Sequence, residues 1–165
     1  MDRKLTVQGI GVLRAVVVLA AACGGGTRID SARVAPLSAP LTSITVLSQV
    51  GARGELAGPA FEGALLQGAA ACGVHASVAR DLPPDASTAL TVTLDGNTKD
   101  RYGNMRSLHY KATLFETPSR RLLWQADLSL VVDVRSSTER PAEALARDLL
   151  ARLRRDQVTP ACPTG

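Results

Sequence analysis

Three segments in the second half of the chain alternate apolar and polar residues, and this pattern constrains the fold more than any other feature. They lie at 90–94, 108–114 and 124–132. A period of two gives each strand one apolar face, and the turn residues between the segments favour antiparallel pairing. We expect a three-stranded antiparallel meander, with residues 95–104 as a polar hairpin connection.

An amphipathic helix is predicted after the meander. Its apolar residues recur at helical spacing, and they are Ala142, Leu145, Ala146, Leu149, Leu150 and Leu153. Glutamates near its start and arginines near its end complement the helix dipole. The pattern predicts a helix that lays one apolar stripe against the sheet.

The sequence pattern in the first half of the domain predicts a strand, a helix and a second strand. Residues 42–50 alternate, and residues 74–79 do so more briefly. Residues 59–72 carry a helical pattern, with Pro59 suited to a first turn and Gly73 to a helix stop. The order β-α-β-β-β-β-α predicts an α+β two-layer sandwich. We expect a mostly antiparallel sheet of about five strands, with both helices on one face.

The N-terminal stretch indicates where this domain is delivered. A charged start precedes an apolar run at 15–22, and the stretch from Leu19 to Cys23 resembles the bacterial lipobox, in which the cysteine is acylated. Residues 1–22 are predicted to be a lipoprotein signal peptide, with Cys23 as the lipid attachment point. An ordinary secretory signal is the alternative. The run has eight apolar residues, too few for a membrane span, which needs about 20.

The composition of the chain after the signal peptide limits its expected partners and its domain organisation. It has 16 basic and 14 acidic residues, a net charge of +2, and no concentrated basic face, so we expect no nucleic-acid partner. Residues 23–40 predict a flexible tether that keeps the domain off the lipid surface. Residues 41–165 predict a single α+β domain. Gly24 favours the outer membrane, facing the periplasm.

Two cysteines remain once Cys23 is assigned to lipid. Cys72 ends the first predicted helix, and Cys162 follows the second. If the helices lie parallel on one sheet face, both thiols fall at one end of the domain. We expect a Cys72–Cys162 disulfide in an oxidising compartment. The alternative is a buried free Cys72 and a mobile Cys162.

No catalytic or metal-ligating group emerges from the sequence. His75 and His109 fall on polar strand positions without Cys, Asp or Glu at ligand spacing. No G-x-S-x-G nucleophile elbow occurs. Trp124 falls on the apolar face and is expected in the core. We therefore predict a non-enzymatic protein without metal or cofactor.

The predicted hairpin connection is the most site-like exposed feature. It carries Lys99, Arg101 and Tyr102 at a loop tip, where binding residues concentrate. Cations can pair with phosphate while the ring covers apolar surface. We predict a contact with an envelope partner or an anionic lipid, and a solvated loop is the alternative.

The element order and the phrase from Leu108 to Leu114 resemble two groups of small outer-membrane lipoproteins. These are the lipopolysaccharide-assembly type and the auxiliary lipoproteins of ABC-type lipid transport systems. The likeness covers residues 42–156 without a diagnostic motif. It implies a non-catalytic accessory or partner-binding subunit of the envelope, held to the membrane by acylated Cys23. An envelope hydrolase and a purely structural envelope lipoprotein are the alternatives.

Overall fold

The computed structural model describes residues 27–163, which form six strands and two helices. The strands are β1 (Arg28–Arg33), β2 (Ser43–Ser48), β3 (His75–Val78), β4 (Thr88–Lys99), β5 (Met105–Glu116) and β6 (Leu122–Asp133), and the helices are α1 (Gly58–Ala70) and α2 (Glu139–Arg155). All the strands join one sheet in the order β1-β6-β5-β4-β2-β3. The predicted α+β sandwich is confirmed, with six strands where about five were expected.

The sheet is mixed, although most of its pairings are antiparallel. β4, β5 and β6 form the predicted meander. β2 runs parallel to both of its neighbours, β3 and β4. Parallel strands need a connection that returns the chain to the same end of the sheet. Helix α1 supplies it between β2 and β3, and residues 79–87 supply it between β3 and β4.

β1 lies within the range predicted to be a flexible tether, and for these residues the prediction is wrong. The strand pairs antiparallel with β6 along its whole length. Its sequence has one large apolar residue, Ile29, so alternation carried no signal. The backbone ladder along the β6 edge holds the strand instead. Only residues 24–27 then separate Cys23 from the sheet.

The β4–β5 connection is also shorter than predicted. β4 continues to Lys99 beyond a register shift between Leu94 and Gly96, and only residues 100–104 form the turn. A bulge adds one residue to one strand and breaks the alternation on which a strand prediction depends. The polar residues after Asp95 stay paired because ladder hydrogen bonds do not depend on side-chain polarity.

One apolar core lies between the sheet and the two helices. The meander strands and β2 contribute alternate residues, α1 contributes Phe61, Leu65 and Ala69, and α2 contributes its predicted stripe. The core includes the fully buried Trp124, as predicted. The other side of the sheet, called the open face below, carries Thr, Ser, Asp and Lys side chains.

The two helices lie side by side on this core and run in the same direction. Ala57 N, just before α1, donates to Thr138 O, just before α2, at 3.2 Å. A Cβ at Gly68 would stand 2.7 Å from Leu150 Cδ1. The glycine thus permits close approach of α1 to α2. Within residues 27–163, neither helix combines the length and apolar character needed to cross a bilayer.

Candidate functional site

The sandwich has two ends of different character. The tip end contains the β4–β5 turn at 100–104, the β6–α2 loop at 134–138 and the starts of both helices. Val134 N donates to Asn104 O at 2.8 Å and ties the two loops together. The opposite end contains the β5–β6 turn at 117–121 and the ends of both helices. We call it the fastened end, because a disulfide and a charged network described below join its segments. Most polar groups with structural partners lie at one of these two ends.

The structure brings the three predicted contact residues together at the tip end. Lys99 is the last residue of β4, and Arg101 and Tyr102 lie in the turn. The Tyr102 side chain is 76% exposed, and the Arg101 guanidinium carbon lies 5.8 Å from the centroid of its ring, within cation–π range. Asp100 holds the turn, because its side chain accepts a backbone N–H across it. These residues form a small cationic and aromatic projection.

Exposed apolar side chains that the sequence analysis missed lie near this projection, whereas Lys99 pairs with Arg106 at an inward register position. Met105, Val131 and Val134 are 38%, 53% and 43% exposed. Met105 and Val131 occupy open-face register positions of β5 and β6, and Val134 follows β6. An apolar residue at a polar register position was a signal available for Val131. We call the set formed by Lys99, Arg101, Tyr102, Met105, Val131 and Val134 the tip surface.

A buried carboxylate lies behind the tip surface, beside a cavity of about 190 Å³. Glu55 accepts hydrogen bonds from Gly51 N, Arg53 N and the Tyr110 hydroxyl, each at 2.9 Å. Burial raises the pKa of Tyr110, and the hydrogen bond to Glu55 and the negative charge of Glu55 raise it further. The tyrosine therefore stays a neutral donor. This network fixes the loop before α1 against the sheet.

Arg106 lines the same cavity from an inward position on β5. Its Nε is buried and, among the described residues, has no hydrogen-bond partner. Strand alternation places Arg106 on the same face as Leu108 and Tyr110, so a cation at an apolar-face position was a signal that the sequence offered. Glu55 offered none, because its burial depends on how the loop folds. The cavity combines a satisfied carboxylate with a guanidinium, which is not a nucleophile and base pair.

The fastened end contains a network centred on Asp156, which the sequence analysis also missed. The Asp156 Oδ2 atom accepts from Trp124 Nε1 at 2.8 Å, from Arg152 Nε at 3.2 Å and from the Ser31 hydroxyl. Burial by itself would raise the pKa of Asp156. The hydrogen bonds from Ser31 and Trp124 and the charge of Arg152 outweigh burial and hold that pKa below its usual range. The network joins β1, β6 and α2.

The structure contains the disulfide that the sequence analysis expected. It joins Cys72, just after α1, to Cys162, after α2, across 90 residues of sequence. Because the helices run in the same direction, both cysteines lie at the fastened end. Arg154 Nη1 donates to Cys72 Sγ at 3.2 Å, so α2 also contacts the bridge directly.

The other candidate positions lie apart from both ends or outside the structure. Cys23 and the predicted signal peptide are outside the described residues. His75 and His109 are exposed on the open face, as predicted. His109 borders a shallow depression with Asp30, Asp95 and Asp127. Within residues 27–163, no three His, Cys, Asp or Glu side chains are arranged to hold a metal ion.

The fold defines the chain as an α+β two-layer sandwich. No protein-family model matches the sequence, and a search of curated proteins finds no match. Among solved structures, the PelC dodecamer from Paraburkholderia phytofirmans is similar, with a TM-score of 0.51 at 14% identity. The alignment covers 77% of this chain and 96% of the PelC chain. At this identity the likeness shows a shared fold.

Bacterial lipoproteins are also among the structural neighbours, at lower TM-scores. Lipoprotein GNA1162 from Neisseria meningitidis has a TM-score of 0.42 at 15% identity, with 69% of this chain and 99% of that one covered. A minor lipoprotein from Acinetobacter baumannii has a TM-score of 0.39 at 14% identity, with 75% and 100% covered.

Proposed function

We propose that this protein is a lipid-anchored, non-catalytic subunit of the bacterial envelope that contacts a partner or an anionic lipid through its tip surface. The observation that carries the proposal is the lipobox-like stretch from Leu19 to Cys23. The sheet begins at Arg28, directly after the short segment 24–27. A chain acylated at Cys23 would therefore hold its domain close to the membrane.

The finer parts of the proposal follow from the sequence pattern. Gly24 behind the cysteine supports an outer-membrane location that faces the periplasm. The resemblance in element order supports an accessory role in lipopolysaccharide or lipid transport. The exposed cations and aromatic ring at the tip support a contact with a larger envelope protein or with lipid phosphate.

The non-catalytic part of the proposal is supported by the chemistry of the described residues. The buried carboxylate of Glu55 already accepts three hydrogen bonds, so it is committed to holding a loop. The histidines lie on β3 and β5, which two other strands separate in the sheet. A reproducible turnover on any substrate would overturn this part.

Mass spectrometry of the processed protein tests the anchor. We expect a mature chain that begins with diacylated Cys23, and a Cys23→Ser variant that stays unprocessed or soluble in the periplasm. Processing that is insensitive to globomycin, together with an unmodified Cys23, would contradict the proposed lipid anchor.

Co-purification tests the contact. Replacing Lys99, Arg101 and Tyr102 together with Ala should reduce the partner or lipid recovered with the protein. Arg80→Ala with Arg155→Ala removes two exposed charges away from the tip and is the control. Undiminished recovery with a folded triple variant would place the contact elsewhere on the domain.

A further inference from the structure

The start of β1 limits how far Cys23 can lie from the sheet. Residues 24–27 separate Cys23 from Arg28, and five residue steps of extended chain span at most about 18 Å. Arg28 pairs with Ser129 on β6. Cys23 can therefore lie no farther than about 18 Å from Arg28, which is beside Ser129.

That bound distinguishes the two ends of the sandwich. Asp133, at the tip end, is four residues from Ser129 along β6, or roughly 14 Å at the usual strand rise. Arg121, at the fastened end, is eight residues away in the other direction, or roughly 27 Å. Cys23 can reach the level of the tip, but it falls short of the turn at the fastened end. Moreover, β1 enters the sheet from the tip side.

We propose that the tip surface docks on the anionic headgroup layer of the membrane that holds the acylated Cys23. This inference rests on the proposed lipid anchor and names the partner of the tip. The short linker makes the tip the end of the sandwich that an anchored domain can press against the bilayer.

The chemistry of the tip surface matches a headgroup layer. Tyr102 is an amphipathic ring of the kind enriched at membrane interfaces, and Met105, Val131 and Val134 add exposed apolar area at the same end of the sandwich. Lys99 and Arg101 offer cations to lipid phosphate. A headgroup layer receives both kinds of group at once, because it presents phosphates above an apolar interior.

The fastened end provides a contrast within the same molecule. It also carries arginines, including Arg33, Arg120 and Arg155. Val34 is a large exposed apolar side chain near this end, where its backbone N–H donates to Leu123 O, and the turn at this end lies beyond the reach of the linker. Positive charge alone therefore does not select the docking end. The docking end is selected by the length of the linker together with the exposed apolar area.

The test uses two lysines of the full acylated protein, reconstituted in vesicles. Lys99 lies at the tip and Lys111 lies in the middle of the open face, opposite Asp127. The labelling rate of each amine by a water-soluble acylating reagent is measured in phosphatidylcholine vesicles, with and without phosphatidylglycerol. We expect Lys99, but not Lys111, to be protected when phosphatidylglycerol is present.

Variants sharpen the measurement while leaving Lys99 as the probe. Arg101→Gln with Tyr102→Ser should weaken docking by about fivefold or more and restore Lys99 labelling, because one cation and one interfacial ring are removed. Arg80→Gln with Arg155→Gln is the control, and it should keep the protection.

Each result bears on the proposal in one direction. Suppose that Lys99 is labelled equally in the two vesicle types, on protein that is acylated and vesicle-bound. This result would overturn docking, but it would not contradict the lipid anchor. Protection in native envelopes but not in pure lipid vesicles would assign the tip to a protein partner and also overturn it. An unacylated Cys23 would refute the anchor itself, and this inference with it. Protection of Lys99 that only the tip variant removes supports the proposal.

Discussion

The two ends of the sandwich use their polar and apolar groups differently. At the fastened end a disulfide joins the segments after the two helices, and Asp156 gathers donors from β1, β6 and α2. At the tip end four large apolar side chains are exposed, and the buried Nε of Arg106 lacks a partner among the described residues. The exposed residues of the tip surface therefore need not stabilise the fold, because the disulfide and the Asp156 network join the elements at the other end.

A single core makes this division possible. Both helices pack on the same sheet face along its length, so a restraint at the fastened end stabilises the whole domain. Exposed apolar side chains add nothing to the stability of an isolated domain, and clusters of them mark interaction sites. Four variants test this difference between the ends, in decreasing order of their expected effect on stability.

Removing the disulfide should have the largest effect. Cys162→Ser should lower the free energy of unfolding by about 4 kcal/mol, because the bridge closes a long loop in the unfolded chain. Chemical denaturation of the oxidised wild type and the variant measures the difference. Wild type treated with a reductant is the control and should match the variant. Equal denaturation midpoints for oxidised wild type and variant would show that the fastened end does not depend on the bridge.

Asp156→Asn should cost about 2 kcal/mol, because it removes the charge from three hydrogen bonds. The folded-state pKa of Asp156 lies below its unfolded value. Its contribution is therefore present above about pH 4, the unfolded value, and is lost as pH falls through the lower folded pKa. Unfolding measured from neutral to acid pH should show a shallower acid loss in the variant. The exposed Asp85→Asn is the matched control, and an identical acid profile in Asp156→Asn would exclude this role.

Tyr110→Phe should cost about 1.5 kcal/mol, because the buried Glu55 carboxylate loses one of its donors. Burial raises the folded-state pKa of Tyr110. The wild type should therefore lose stability as pH rises above about 10, the unfolded value, and the variant should lack this component. Unfolding measured in alkaline buffers tests both effects. Tyr102→Phe is the control, and a similar cost there would show that the two tyrosines are equivalent.

Changes at the tip surface should have the smallest effect on stability. Arg101→Ala with Tyr102→Ala should shift the free energy of unfolding by no more than about 0.5 kcal/mol, as is usual for surface substitutions. Thermal unfolding measures this, and the lysine labelling described above measures docking. A destabilisation as large as that of Tyr110→Phe would mean that the tip is part of the fold, and the contrast between the ends would fail.

The meander and its faces were predictable because they depend on local periodicity. Alternation placed Trp124 in the core and both histidines on the open face, as the structure has them. Helical spacing identified the stripe of α2 correctly. The prediction failed at β1 and after Asp95, where an edge ladder or a bulge replaces the side-chain pattern. Of the candidate site, the sequence indicated Lys99, Arg101 and Tyr102 but not the apolar residues around them.

The sequence alone specifies which residues face the core, because strand and helix periods are properties of neighbouring residues. It also placed both cysteines at helix ends. The partners of Glu55 and Asp156 depend on the tertiary fold, since Tyr110 and Ser31 lie 55 and 125 residues away from them along the chain. The same holds for the direction in which the chain enters the sheet. That direction depends on which edge strand β1 joins, and it is the pairing with β6 that brings the start of β1 toward the tip.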